Sequence, residues 1–150
     1  MTMYLLDTTV IPLLHPRRHK CGPALESWME QNEDKLFLSA MTLEEIEACI
    51  LTMRRERRTR RADRLDAMLE QLMAGFADRM LPVDPLTALM AARLAEAALP
   101  RKVDMRSLLI AATAKRHGFT LVSGVARRYR GLMIDVLDAH RLSAAARTLT

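Results

Sequence analysis

The chain has 150 residues, 50% of them hydrophobic and 27% charged, with two cysteines and a formal net charge of +5. That length and balance describe one folded domain with a buried core rather than a disordered chain, and two cysteines exclude a disulfide scaffold. No apolar run approaches the ~18 residues that cross a bilayer. Asp7 interrupts the only apolar candidate near the N-terminus, so no signal peptide is expected, and the chain reads as cytoplasmic with reduced thiols at Cys21 and Cys49.

In chain order, Tyr4, Leu5 and Leu6 predict a buried strand that ends at Asp7, after which TTVIPLL starts a short helix with Thr8 as its cap. HPRRHKCGP (residues 15–23) is a turn-rich loop, and Pro23 opens a helix with Leu25, Trp28 and Met29 on one face. KLFLSA is a second strand. Thr42 then starts a helix whose apolar residues Leu43, Ile46 and Ile50 recur at helical spacing, and which continues towards a basic stretch. A further helix covers about Ala62 to Ala77, with Leu65, Met68, Leu69, Leu72 and Met73 as its stripe. MLPVD is a third strand ending near Pro85, and helix follows to about Ala98 with a break at Pro100. MRSLLIAATAKRHG is helical and Gly118 is its natural stop. FTLVS is a fourth strand, VARRYRG a short helix or turn, and LMIDVL a fifth strand. The tail from His140 is polar, Ala-rich and peripheral.

Short strands alternating with helices predict one α/β domain over residues 1–150: a parallel sheet of about five short strands with helices on both faces. Ligands of such sheets gather beyond the C-terminal ends of the strands. Asp7, Ser39, Asp84 and Ser123 all fall there.

Two acids stand out. The Asp7 carboxylate can cap the turn that follows it, or bind a metal ion if other carboxylates converge on it. Glu45 lies three residues after Thr42, a capping-box spacing, and the same placement turns it towards the C-terminal edge of the sheet. Glu44 and Glu47 lie on other faces and are expected in solvent. Asp104 precedes MRSLL as a helix cap, and His117 closes that helix. The stretch RRERRTRRADR carries Arg54, Arg55, Arg57, Arg58, Arg60, Arg61 and Arg64 against Glu56 and Asp63. It suits a phosphate backbone or an acidic partner, or else a solvated face with internal ion pairs.

MYLLDTTVI, FLSAMTLEEIEACI, MLPVD and LLIAATAKRHGFTLVS together resemble the PIN-domain ribonucleases, specifically the VapC-type toxins of toxin–antitoxin and plasmid-stability modules. The resemblance runs over about residues 3 to 137. It implies a three-layer PIN-like fold and Mg²⁺- or Mn²⁺-dependent cleavage of RNA by three or four acids. It also implies a cognate antitoxin partner and a homodimer. Metal ions suit that chemistry because they activate water and stabilise charge on the phosphoryl oxygens.

Position by position, the resemblance places the first acid on Asp7 and the second on Glu45, the implied catalytic and metal-binding pair. The third acid, which opens the helix usually written D-x-L-I-A-A-T-A, falls on Ser107. The fourth region, usually T-R-N-x-x-D-F, reads SGVARRY from Ser123 to Tyr129, so its Asn or Asp falls on Val125 and its later Asp on Arg128. The usual Asn two residues after the first Asp is Thr9. An Arg128 charge ~4 Å from an ion would repel each unit of its charge by ~4 kcal/mol at an effective dielectric of 20. Asp104, one helical turn before Ser107, is the remaining acid that can reach the site as a ligand. Two readings stay open: a metal-dependent endoribonuclease with a depleted site, or a PIN-fold protein that binds RNA or an antitoxin without cleavage, Arg128 pairing with Asp7 or Glu45 in place of the ion. A phosphoacceptor domain would need a clustered acid pair after the first strand, which the chain lacks.

Overall fold

The computed structural model describes residues 1–11 and 22–142. Five parallel strands form one sheet: β1 (Tyr4–Leu6), β2 (Leu36–Ser39), β3 (Met80–Leu81), β4 (Thr120–Ser123) and β5 (Val136–Asp138), in the order β3-β2-β1-β4-β5. Five α-helices connect or flank them: α1 (Gly22–Gln31), α2 (Ala40–Arg55), α3 (Thr59–Gly75), α4 (Pro85–Ala98) and α5 (Met105–His117).

Alternation along the strands sends side chains to opposite faces of the sheet. Leu5 and Leu121 pack with Ala91, Leu94, Leu108 and Ala111 of α4 and α5. Leu6, Leu38 and Val122 pack on the other face with Leu25, Trp28 and Met29 of α1 and with Met68 and Leu72 of α3. Both faces of the central strands are therefore covered, which is why β1 and β4 read as apolar runs rather than alternating ones. A third cluster joins α2 to α3 through Ile46, Ile50, Met53, Ala62 and Leu65. Cys49 packs half-buried against it, whereas Cys21 and the loop HPRRHKC lie outside the described residues. So do Pro12, Leu13 and Leu14 of the TTVIPLL helix, and so does the tail beyond Leu142. Ala139, just before that tail, is fully buried, and Leu142, at its near end, packs half-buried on the same cluster as Leu6.

Several boundaries differ from the sequence expectation. Residues 8–10 form a 3-10 turn capped by Asp7, not by Thr8, because Asp7 has the extended backbone that lets its carboxylate reach the Thr9 N–H. Likewise α2 starts at Ala40 with Ser39 as its cap, the Ser39 hydroxyl accepting from Met41 N at 3.1 Å. Thr42 is thus inside the first turn and buried, and the Thr42–Glu45 capping box does not form. The break between α2 and α3 falls at Glu56–Arg58, with Arg57 at φ 60°, so α3 starts earlier than Ala62. The third strand is only two residues long, and Asp84 belongs to the helix as the cap of α4. The fifth strand starts later, at Val136, because Gly131 (φ 84°) and Met133 (φ 54°) take LMI out of extended backbone. Gly118 ends α5 at φ 69°, as expected.

Candidate active site

Strand order places the site. The chain builds outward from β1 through β2 to β3 on one side, then returns to lay β4 and β5 on the other. The crevice at the C-terminal ends of β1 and β4 is therefore a topological switch point, where open α/β sheets bind ligands. Leu6 is in register with Leu38 of β2 and Val122 of β4. Asp7 thus emerges level with Ser39 and Ser123, its own N–H bonded to the Val122 carbonyl at 3.0 Å.

The Asp7 side chain is buried, with 1% of its surface exposed. Its Oδ1 accepts from Thr9 N at 2.9 Å and from Thr9 Oγ1 at 2.5 Å, and its Oδ2 accepts from the Tyr129 hydroxyl at 2.9 Å. Thr9 Oγ1 accepts in turn from Gly124 N at 2.8 Å. A Cβ on Gly124 would lie 3.3 Å from that oxygen and 3.5 Å from the Thr9 carbonyl, so glycine is what lets the β4 turn close on Thr9. The Ser123 hydroxyl lies 3.4 Å from Thr9 Oγ1 and accepts from Val125 N at 2.9 Å. Because an ionised carboxylate only accepts, the Thr9 and Tyr129 hydroxyls must both donate to Asp7. Burial, together with the facing Asp7 charge, pushes the Tyr129 hydroxyl far above the usual tyrosine range, so it keeps its proton.

Glu45 faces the same crevice from α2, half-buried. Burial raises its carboxyl above the usual value. Thr8, Arg106 and Arg128 pull it down, and Asp7 pushes it up further. Thr8 also donates to Thr42 Oγ1 at 3.4 Å, tying the β1 turn to α2. Asp7 and Glu45 are therefore brought together.

The other candidate acid is engaged elsewhere. Asp104 caps α5: its Oδ1 accepts from Ser107 N at 3.0 Å and its Oδ2 from Ser107 Oγ at 2.7 Å. Burial works to raise the Asp104 carboxyl, but the Ser107 bonds and the Arg128 charge outweigh it and hold it below its usual value. Val125 lies between β4 and the 3-10 turn Ala126–Tyr129.

Arg128 is within electrostatic reach of Glu45 and Asp104, yet among the described ion pairs, all within 4.0 Å, none involves it. The expected pairing of Arg128 with Asp7 or Glu45 is thus not formed: the Asp7 oxygen that would receive it takes the Tyr129 hydroxyl instead. The backbone of this turn is tied down by Arg101, which donates to the Arg128 carbonyl at 2.7 Å and to the Arg130 carbonyl at 2.5 Å. Glu44 is exposed but not simply solvated, since Arg106 holds it through two 2.7 Å bonds that link α5 to α2.

Tyr129 is the residue that sequence reasoning overlooked. The signal was present, because the chain has Tyr where the T-R-N-x-x-D-F pattern ends in Phe. The added hydroxyl is the group that reaches Asp7.

Among the described residues, no three His, Cys, Asp or Glu side chains group as ligands for an ion. Asp7 accepts from protein donors on both oxygens, Asp104 accepts from Ser107 on both, and Glu45 is engaged by the Thr8 hydroxyl. This donor set does not fit an Mg²⁺ or Mn²⁺ ion, which needs oxygen lone pairs rather than donor hydrogens facing it.

The basic stretch straddles the α2–α3 turn. Arg54 pairs with Asp63 at 2.9 Å and with Asp66 at 3.2 Å, and Arg58 pairs with Glu56. Arg55 bonds Thr52 Oγ1 at 3.4 Å, and Arg64 lines an apolar groove with Leu6, Met68 and Phe76. Part of the patch is therefore internally paired, while Arg57, Arg60 and Arg61 are exposed.

A five-stranded parallel sheet with this order, covered on both faces and carrying an acid pair at the switch point, defines a class of α/β domain in which acids gather beyond the central strand. The chain belongs to the PIN domain family, which it matches over residues 4–124. PIN domains are generally divalent-metal dependent. No curated protein matches the sequence. Among solved structures, FitAcB from Neisseria gonorrhoeae is similar at 27% identity, with a TM-score of 0.75, covering 91% of this chain and 98% of that one. FitAB bound to an IR36 DNA fragment is similar at 26% identity and TM-score 0.74, covering 92% and 96%. DNA-bound VapBC from Salmonella typhimurium shares the fold at 19% identity and TM-score 0.71, covering 93% and 99%. No helix of the described residues is long and apolar enough to cross a membrane.

Proposed function

We propose that the chain is the PIN component of a two-protein toxin–antitoxin module of the FitAB and VapBC kind, acting in the cytoplasm, and that it binds RNA and a cognate antitoxin without metal-dependent cleavage of the RNA. The observation that carries this reading is Asp7. Its oxygens are taken by Thr9 and Tyr129, and the positions where the family resemblance implies further acids hold Ser107, Val125 and Arg128. The resemblance to FitAcB supports the antitoxin partner. Leu86 and Leu89, 60% and 58% exposed on α4, support a homodimer.

RNA retention tests the reading. The protein is expected to retain RNA on a filter equally in Mg²⁺ and in EDTA, and to leave it intact. Replacing Arg57, Arg58, Arg60 and Arg61 with Gln should weaken retention and flatten its salt dependence. Unchanged retention would remove RNA from the proposal and leave the antitoxin.

A second reading, a weak Mg²⁺- or Mn²⁺-dependent ribonuclease, is favoured by one observation: Asp7 and Glu45 do converge at the switch point. RNA cleavage that stops in EDTA and is lost in Asp7→Asn would establish it over the first.

A further inference from the structure

We propose that the acidic crevice is held shut by its own side chains, the Tyr129 hydroxyl standing where a divalent cation would have to meet Asp7, so that the protein neither binds nor needs Mg²⁺ or Mn²⁺ there. This rests on reading the crevice as the position of a PIN metal site, and not on the identity of the partner or the RNA.

An ionised carboxylate offers about four lone-pair positions. Three of those on Asp7 are filled by Thr9 N, Thr9 Oγ1 and the Tyr129 hydroxyl. Each donor presents a partly positive hydrogen to the oxygen, as a cation would, and so stabilises the buried charge in its place. A metal that takes the Tyr129 position on Oδ2 has to expel the tyrosine, and the one lone-pair position left open is far short of the several oxygens a divalent ion needs, with no group of three acids around it among the described residues. Tyr129 is 3% exposed and packs in the cluster of Leu5, Leu108, Ile110 and Leu132, so its ring cannot swing out without unpacking that core. A metal approaching Oδ1 has to expel Thr9, whose Oγ1 is clamped by the Gly124 N–H at 2.8 Å.

The surroundings agree. Ser107 points its hydroxyl back to Asp104 rather than into the crevice. Arg128 brings a fixed positive charge within reach of Glu45. The Thr9 donors close the β1 turn on itself, and the Tyr129 hydroxyl on Asp7 with the Gly124 N–H on Thr9 pins that turn to the turn after β4 across the switch point. In this arrangement Tyr129 and Thr9 are positioning residues that do the structural work of an ion.

The test uses the full chain, stripped of metal. Calorimetric titration with MnCl₂ is expected to show no saturable binding, and the melting temperature should be the same in EDTA and in millimolar Mn²⁺. Tyr129→Phe should melt a few degrees lower in EDTA. Combining it with Ser107→Asp and Val125→Asp should create Mn²⁺-dependent stabilisation that the wild type lacks. Saturable one-to-one Mn²⁺ binding by the wild type, lost in Asp7→Asn, would overturn the proposal. So would a Tyr129→Phe protein that melts as the wild type does. If Tyr129→Phe does not fold, the wild-type titration still decides, since it needs no variant. Wild type that binds no Mn²⁺ and retains no RNA would sink the RNA reading alone and leave the closed crevice standing.

Discussion

Two aspartates in this molecule solve the same local problem with opposite partners. Asp84 and Asp7 each follow a strand, each have extended backbone, and each cap the next turn or helix by accepting from a threonine N–H and the same threonine's hydroxyl. Asp84 lies at the outer edge of the sheet, where Arg116 of α5 reaches it and completes an ion pair. Asp7 lies at the centre, buried, and its remaining oxygen meets a neutral tyrosine. Asp84 is a structural carboxylate with a matched charge. Asp7 is buried with neutral donors on its oxygens and no ion pair among the described residues, and Glu45 lies close by. The comparison teaches that the cap motif says nothing about role, and that what faces the second oxygen decides it.

Removing each carboxylate should break the comparison by different amounts. The largest effect is expected for Asp7→Ala, which strands the buried Tyr129 hydroxyl and the two part-buried Thr9 donors and should cost about 3 kcal/mol in urea unfolding, with little dependence on salt. Were the crevice instead a cation site awaiting its ion, losing one of two neighbouring acids would stabilise the metal-free protein, so the sign of the change is the measurement. Ser107→Ala should come next, costing about 1 kcal/mol by removing the hydroxyl that completes the Asp104 cap. Asp84→Ala should lower the melting temperature by a few degrees, less at high salt because the pair with Arg116 is partly exposed.

The smallest effects are those of pH. The Thr87 N–H, the Thr87 hydroxyl and Arg116 hold the Asp84 carboxyl below its usual 3.8 against a modest burial cost. Its contribution is therefore present above about that pH and lost as the pH falls through the folded value. Glu45 runs the other way. Burial raises its folded pKa above the usual 4.5, so the folded state binds the proton more tightly and stability declines as the pH rises through the folded value. Glu45→Gln should accordingly melt higher than wild type at pH 7, with the gain vanishing in acid. A variant that melts lower at pH 7 would show that Glu45 is held by a partner charge, as Asp84 is.

The unequal legibility of the two aspartates has a physical basis. Strand and helix periodicity is local, so the βα alternation, the apolar runs of β1 and β4 and the Gly118 stop could all be read from neighbouring residues. The parallel-sheet class follows from the same patterns, and so does the position of Asp7 at the end of a strand, whereas the PIN family rested on the likeness of whole motifs such as LLIAATAKRHGFTLVS. Where the sequence reading slipped, a side chain had two local options. Thr8 and Thr42 both look like helix caps, yet Asp7, one residue earlier, and Ser39, three residues earlier, are already extended and reach the free N–H groups first.

Ser107, Val125 and Arg128 were visible in the chain, standing where the family resemblance implies acidic or amide side chains. What replaces them was not visible. Asp7 and Tyr129 are 122 residues apart, and only the parallel register of β1 with β4 brings the turn after each strand to the same edge of the sheet. A charge-balance argument from sequence alone turns to Arg128, because a cation is the strongest partner for a carboxylate. Tertiary packing chose Tyr129 because its ring fits the core beneath the crevice while its hydroxyl reaches the buried oxygen, whereas Arg128, one residue earlier on the 3-10 turn, is only partly buried.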